Sequence, residues 1–110
     1  MTRRLCVGVV VPGWSSPADP GALPAVADLL GAASRDHDLR IVALRYPAER
    51  RTYRDGVGIP VTALGLGSRG GPVGRAAAIT AGIRAVRRLH AAAPFDVIHG
   101  FWADEPGMIA

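Results

Sequence analysis

The sequence contains no lysine: every basic residue is an arginine, and the formal net charge is +4. It has one cysteine, Cys6, set inside an apolar run. A lone cysteine supports neither a disulfide framework nor a metal cluster, and a buried thiol behaves as a small hydrophobe. That usage fits a reducing, cytoplasmic setting. Aromatic residues are scarce, and no basic run has aromatics interleaved with it, which argues against nucleic acid as a partner. No apolar stretch approaches the roughly 20 residues of a membrane-spanning helix. Arg3-Arg4 and the run Leu5 to Val11 mimic a short signal peptide. Pro12-Gly13-Trp14 ends that run early, however, and no A-x-A cleavage site follows.

What is present is the apolar, non-repetitive composition of a globular chain. At 110 residues it is long enough for one small domain. Leu5 to Val11 is a continuous β-branched run, the pattern of a strand buried on both faces of a parallel sheet. Pro12-Gly13 stops it, and Trp14 to Gly21 reads as a loop. Leu23, Val26, Ala27, Leu30 and Ala33 then recur at helical spacing, with Pro24 in the first turn, so the spacing predicts a helix over Leu23–Ser34. Gly31 weakens its last turn. Leu39 to Leu44 is a second apolar run. Strand, helix and strand make a right-handed βαβ unit with parallel strands.

Arg45 to Gly58 is polar and reads as a loop with at most one helical turn. Ile59 to Leu66 is a third strand of open orientation, since no crossover helix precedes it. The Gly/Arg stretch Gly65 to Gly74 reads as a surface loop; as a phosphate cradle it lacks the Gly-Lys-Ser/Thr ending of a P-loop. A long helix follows over Val73–Ala92, with Ala76, Ile79, Ile83, Val86 and His90 as its inward stripe and Leu89 alongside. Its Arg75, Arg84, Arg87 and Arg88 mostly lie away from that stripe, a candidate for peripheral contact with membrane lipid beside the plainer reading of a solvated face. Pro94 ends the helix.

Phe95-Asp96-Val97-Ile98 is a fourth short strand, and the chain then changes abruptly to His99-Gly100-Phe101-Trp102-Ala103-Asp104-Glu105, with a new helix starting near Pro106. The order β-α-β-β-α-β predicts an α/β fold with a Rossmann-like, open, mostly parallel sheet and flanking helices. The helix beginning at Pro106 has only four residues before Ala110, so the chain reads as the front part of a single domain that is incomplete at its C-terminus.

In open α/β sheets ligands bind beyond the carboxyl ends of the strands. Loops after the first and fourth strands therefore carry the candidate site. His99 is a candidate proton carrier or hydrogen-bonding group. Phe101 and Trp102 offer flat faces for a sugar or nucleotide ring. Asp104 and Glu105 can accept hydrogen bonds from hydroxyls, or cap the helix that Pro106 begins. Gly13 and Trp14 shape the first loop. A standard dinucleotide site needs G-x-G-x-x-G after the first strand. Here Trp14 and Pro17 obstruct the approach to a pyrophosphate. No metal or cofactor is indicated.

The ordered set of segments resembles the N-terminal, acceptor-side domain of family 4 glycosyltransferases, which have the two-domain GT-B fold. The segments that carry the likeness are Leu5 to Pro12, Ala22 to Leu30, His37-Asp38-Leu39-Arg40-Ile41-Val42-Ala43-Leu44 and Arg51-Thr52-Tyr53-Arg54. Most telling is Phe95-Asp96-Val97-Ile98-His99-Gly100-Phe101-Trp102-Ala103. The resemblance implies retaining transfer of a sugar from a nucleotide-sugar to a sugar, lipid or small-molecule acceptor held mainly by this half, with His99 catalytic. It matches Gly21 to the first of two loop glycines near the donor phosphate and acceptor; Ala22 stands where the second is common. Phe101 replaces the second His of a common His-x-His. The family's donor-binding C-terminal domain, with its Arg/Lys pair and Glu-x7-Glu motif, is absent from the sequence, which implies an inactive chain when alone. Two other readings stand beside this one: a non-catalytic α/β binding or assembly module that pairs through its sheet edge, and a nucleotide-binding enzyme of another class.

Overall fold

The structure is a computed structural model, and it describes residues 4–14, 24–67, 70–101 and 109. Five strands and two helices occur among them in the order β1 (Cys6–Gly13), α1 (Pro24–Ala33), β2 (Asp38–Tyr46), β3 (Arg51–Arg54), β4 (Pro60–Ala63), α2 (Gly71–Ala92) and β5 (Val97–Gly100). The strands form one sheet in the order β3-β4-β2-β1-β5. β1 pairs in parallel with β2 on one side and with β5 on the other, and β2 pairs in parallel with β4. β3 is antiparallel to β4. The fold is therefore α/β with a mixed sheet.

β1 and β2 are central because their side chains are apolar on both faces. Val9 and Val11 point to the α1 side and join Leu30, Leu39, Ile41 and Val61. Val10 points to the α2 side and joins Val42, Leu44, Ala85 and Phe95. Adjacent residues facing opposite layers is the period-2 signature of a strand, here used twice because both faces are covered.

The segment expected to be a loop, Arg45 to Gly58, contains a strand. Arg51 to Arg54 pair with Ala63 to Pro60. Three of these four residues are exposed, so the strand lacks the apolar alternation that reveals one in sequence. Only Tyr53 packs against the core. The turn into β4 is built by Asp55, whose Oδ1 accepts the backbone N–H groups of Val57 and Ile59 at 3.0 and 2.9 Å. Gly58, at φ 87°, donates its N–H to the Asp55 carbonyl. The chain thus runs down β3 and back up β4, which leaves β4 parallel to β2 without a helical crossover.

The inward stripe of α2 also differs from expectation. Its buried residues are Ala78, Gly82, Ala85 and Val86, whereas Ala76 and His90 are exposed. Ile79, Ile83 and Leu89 pack at the margin of the core. Small residues face the sheet because the space there is filled: a Cβ at Gly82 would sit 3.2 Å from the Leu44 side chain of β2 and would run into the Ile109 side chain. Arg40 of β2 fastens the other end of the helix, donating from Nη1 to the carbonyls of Leu89 and Ala93 at 3.3 and 2.8 Å. A cation at a helix C-terminus meets the negative end of the backbone dipole. The same guanidinium lies 5.0 Å above the Phe95 ring, which itself packs against the Gly8 backbone. In α1 the helix continues past Gly31, whose carbonyl accepts the Ser34 hydroxyl at 2.7 Å.

Candidate functional site

β5 begins two residues later than the apolar run suggested, because Phe95 is buried under α2 instead of lying in the sheet. His99 therefore sits within β5, in register with Val9 of β1, and Gly100 stands opposite Val10. Phe101 continues the pairing through its N–H, which donates to the Val10 carbonyl at 3.0 Å. All four parallel strands have their carboxyl ends on the same side of the molecule, so the segments that follow Gly13 and Gly100 leave from one end of the sheet.

Val97, His99 and Phe101 alternate along β5 and face the α1 side together. The His99 ring is exposed and lies 4.5 Å from the Phe101 ring, tilted by 59°. Beside them is an apolar groove of about 260 Å³, walled by Val7, Val9, Leu29 and Leu30. Leu29 is 57% exposed and Val97 47%. The groove arises because α1 covers β1 and β2, and among the described residues no element covers the β5 flank of the same face. It has aliphatic walls with an imidazole and a phenyl ring at one side.

Gly13 ends β1 against Tyr46, and a Cβ added there would sit 3.2 Å from the Tyr46 Cβ. Trp14 is only 5% exposed. Its N–H donates to the Tyr46 carbonyl at 3.0 Å, and its Nε1–H donates to Asp55 Oδ2 at 2.9 Å. The indole lies in the α1-side core with Ile59, Val61 and Ala63, so Trp14 ties the end of β1 to the β3–β4 turn. Gly21, Trp102, Asp104 and Glu105 lie outside the described residues.

Asp55 and the groove escaped the sequence reading. Asp55 sits in a polar stretch with nothing to distinguish it, although an Asp two residues ahead of a Val-Gly pair is a common turn-former. Tyr53, beside it, has its hydroxyl pKa raised from 10.0, first by burial, opposed by Arg51 and reinforced by Asp55.

A second cleft, of about 420 Å³, lies at the opposite end of the sheet between Arg4, His37, Asp38 and Arg54. Its polar groups are already engaged. Arg4 Nε donates to Asp38 at 2.8 Å, and its Nη groups hold the carbonyls of Ser34, Arg35 and His37. His37 Nδ1 accepts the Leu5 N–H. This cluster closes the end of α1. Among the described residues no group of three His, Cys, Asp or Glu side chains is placed to hold a metal ion, and no helix is long and apolar enough to cross a membrane.

The Gly/Arg stretch expected as a loop over Gly65 to Gly74 is divided: Gly71 to Gly74 already belong to α2, with Pro72 in its first turn, and its first part is bound to β2, where Leu66 and Gly67 donate their N–H groups to the carbonyls of Leu44 and Arg45, and Arg45 Nη1 donates to the Gly67 carbonyl. Gly65, at φ 69°, lies against the Glu49–Arg50 backbone, where a side chain has no room.

No family model, curated protein or solved structure matches the chain.

Proposed function

We propose that this chain is the acceptor-side half of a retaining glycosyltransferase of the GT-B type, whose donor-binding half lies outside these 110 residues. The observation that carries the reading is the parallel pairing of β1 with β5. From β1 the chain builds outward to β2 and β4, then returns to add β5 on the other flank. Such a reversal of strand order opens a crevice at the strand ends, the usual ligand position in a Rossmann-like sheet. Gly13 and Phe101 stand at the ends of the two strands that flank it, and His99 lies one turn of the pleat below, on the α1 side.

In this reading a nucleotide-sugar donor and an acceptor hydroxyl meet above the sheet. The bond from the sugar anomeric carbon to the nucleotide phosphate breaks, a bond to the acceptor oxygen forms, and the acceptor hydroxyl loses its proton. The nucleoside diphosphate leaves and its phosphate oxygen takes up that proton. His99, exposed on the α1 face of β5, hydrogen-bonds the reacting sugar or carries a proton. Phe101 backs the imidazole and, with Trp102, offers a face to the sugar ring. Asp104 and Glu105 accept hydrogen bonds from hydroxyls, and Gly13, Trp14 and Gly21 contribute from the segment after β1. No cofactor takes part.

The test is transfer by a polypeptide that joins this chain to its donor-binding half, assayed with labelled nucleotide-sugars. The expected product keeps the anomeric configuration of the donor, and the 110-residue chain alone gives none. Inverted product, or no transfer from any nucleotide-sugar, contradicts the proposal.

One observation favours the second reading, an assembly module. The two edges of the sheet are unlike. β3 is lined by Arg51 and Arg54, the charged guard that discourages edge pairing. β5, Val-Ile-His-Gly, has no charged residue. If β5 is an assembly edge, the chain self-associates in sedimentation and Val97→Lys abolishes it. A monomer at high concentration removes this reading.

A further inference from the structure

Asp55 has a task beyond turning the chain into β4. We infer that it is a positioning residue for the site at the end of β1: through Trp14 it fixes the point from which the chain continues into the site. What that segment does there rests on the sugar-transfer reading.

The end of β1 is aimed by three contacts. Val11 pairs with Ala43 but Gly13 with Tyr46, so β2 carries one residue more than β1 over this stretch. An extra residue of this kind bends a strand and re-aims it, and such irregularities gather beside active sites. The Trp14 N–H donates to the Tyr46 carbonyl, which holds the first residue beyond β1 to β2. The indole then lies over the α1-side face and donates its own N–H to Asp55 Oδ2. Trp14 is buried, so its use is to fix the path of the chain and not to face a ligand.

Asp55 serves two sets of donors with separate oxygens. Oδ1 takes the N–H groups of Val57 and Ile59, which makes the turn, and Oδ2 takes the indole N–H. A carboxylate accepts on both oxygens, whereas an amide has one accepting oxygen and a donating NH2 group. Asn makes such a turn as well as Asp does. The second accepting oxygen is needed only for the indole. The partners are 41 positions apart, so this clasp makes the β3–β4 turn part of the apparatus of the site.

Two experiments test this, one on the clasp and one on its use. In the 110-residue chain, the Trp14 indole N–H is assigned by NMR as the signal that Trp14→Phe removes. It should exchange slowly with solvent, and Asp55→Asn should speed it by about tenfold or more while the Val57 and Ile59 amides stay protected. In the polypeptide carrying both halves, Asp55→Asn and Trp14→Phe should each lower kcat by about tenfold, since even a small displacement of a site segment is costly. The double variant should fall no further than either single one, because both remove the same bond. The donor is held mainly by the other half in this reading, so its KM should stay within about twofold. Thermal melting checks that each variant is folded at the assay temperature. Wild-type kcat with a loosened indole overturns the proposal, as do additive losses in the double variant or an indole that Asp55→Asn leaves as slow as before. A wild-type polypeptide that transfers no sugar removes the positioning role together with the sugar-transfer reading; the exchange result then still decides whether the clasp exists.

Discussion

The two faces of the sheet are closed by different means. On the α2 side a 22-residue helix lies close to the strands, seated through Ala78, Gly82 and Ala85 and fastened at its end by Arg40. On the α1 side a ten-residue helix covers only part of the face. The indole of Trp14, anchored on Asp55, fills the flank over β4, and among the described residues the flank over β5 holds only the groove beside His99 and Phe101. A fully covered face has no room for chemistry. A partly covered face leaves reactive side chains exposed on a rigid strand.

The largest expected effect is on the α1 side. Trp14→Ala removes a buried indole and leaves Asp55 without one of its three partners, so unfolding free energy should fall by about 3–5 kcal/mol. Urea denaturation measures it, and a loss below about 1 kcal/mol would mean that Trp14 does not hold this face. On the α2 side Arg40→Ala removes two charge-assisted bonds and the stacking on Phe95, with an expected loss of about 2 kcal/mol. Hydrogen exchange at the Leu89–Ala92 amides should accelerate while those of α1 do not; uniform acceleration would show the two faces to be one cooperative unit.

A smaller effect separates the faces by pH. The Tyr53 hydroxyl titrates above its unfolded value of 10.0 because burial on the α1 side disfavours the phenolate. The unfolded chain therefore loses this proton first as pH rises. The stability Tyr53 contributes is fully present below the unfolded pKa and is lost as pH rises through the folded one. Tyr53→Phe should flatten that alkaline decline. In a Tyr46→Phe background, absorbance at the phenolate band should show Tyr53 titrating late; titration at the ordinary value would contradict its placement.

The strands β1 and β2 were legible because burial on both faces leaves unbroken β-branched runs. α2 was legible from its length and from Pro94, but its facing was not. Ranking residues by hydrophobicity pointed to the isoleucines, whereas close approach of the backbone selects Ala and Gly. β3 was invisible because an edge strand with three exposed residues, two of them arginines, resembles a loop. The start of β5 was misjudged because Phe95 is apolar for the sake of α2. At the site, the company of His99 and Phe101 follows from their i, i+2 spacing on a strand. The packing of Trp14 does not follow from any local pattern, since its partner Asp55 is 41 positions away.

His99 should matter least to stability and most to function. It is exposed on the open face, so His99→Ala should change unfolding free energy by no more than about 0.5 kcal/mol. The deciding measurement is kcat for sugar transfer by that variant in the polypeptide carrying both halves. The account predicts a fall of about tenfold or more with unchanged melting. Wild-type turnover in the folded variant would contradict it.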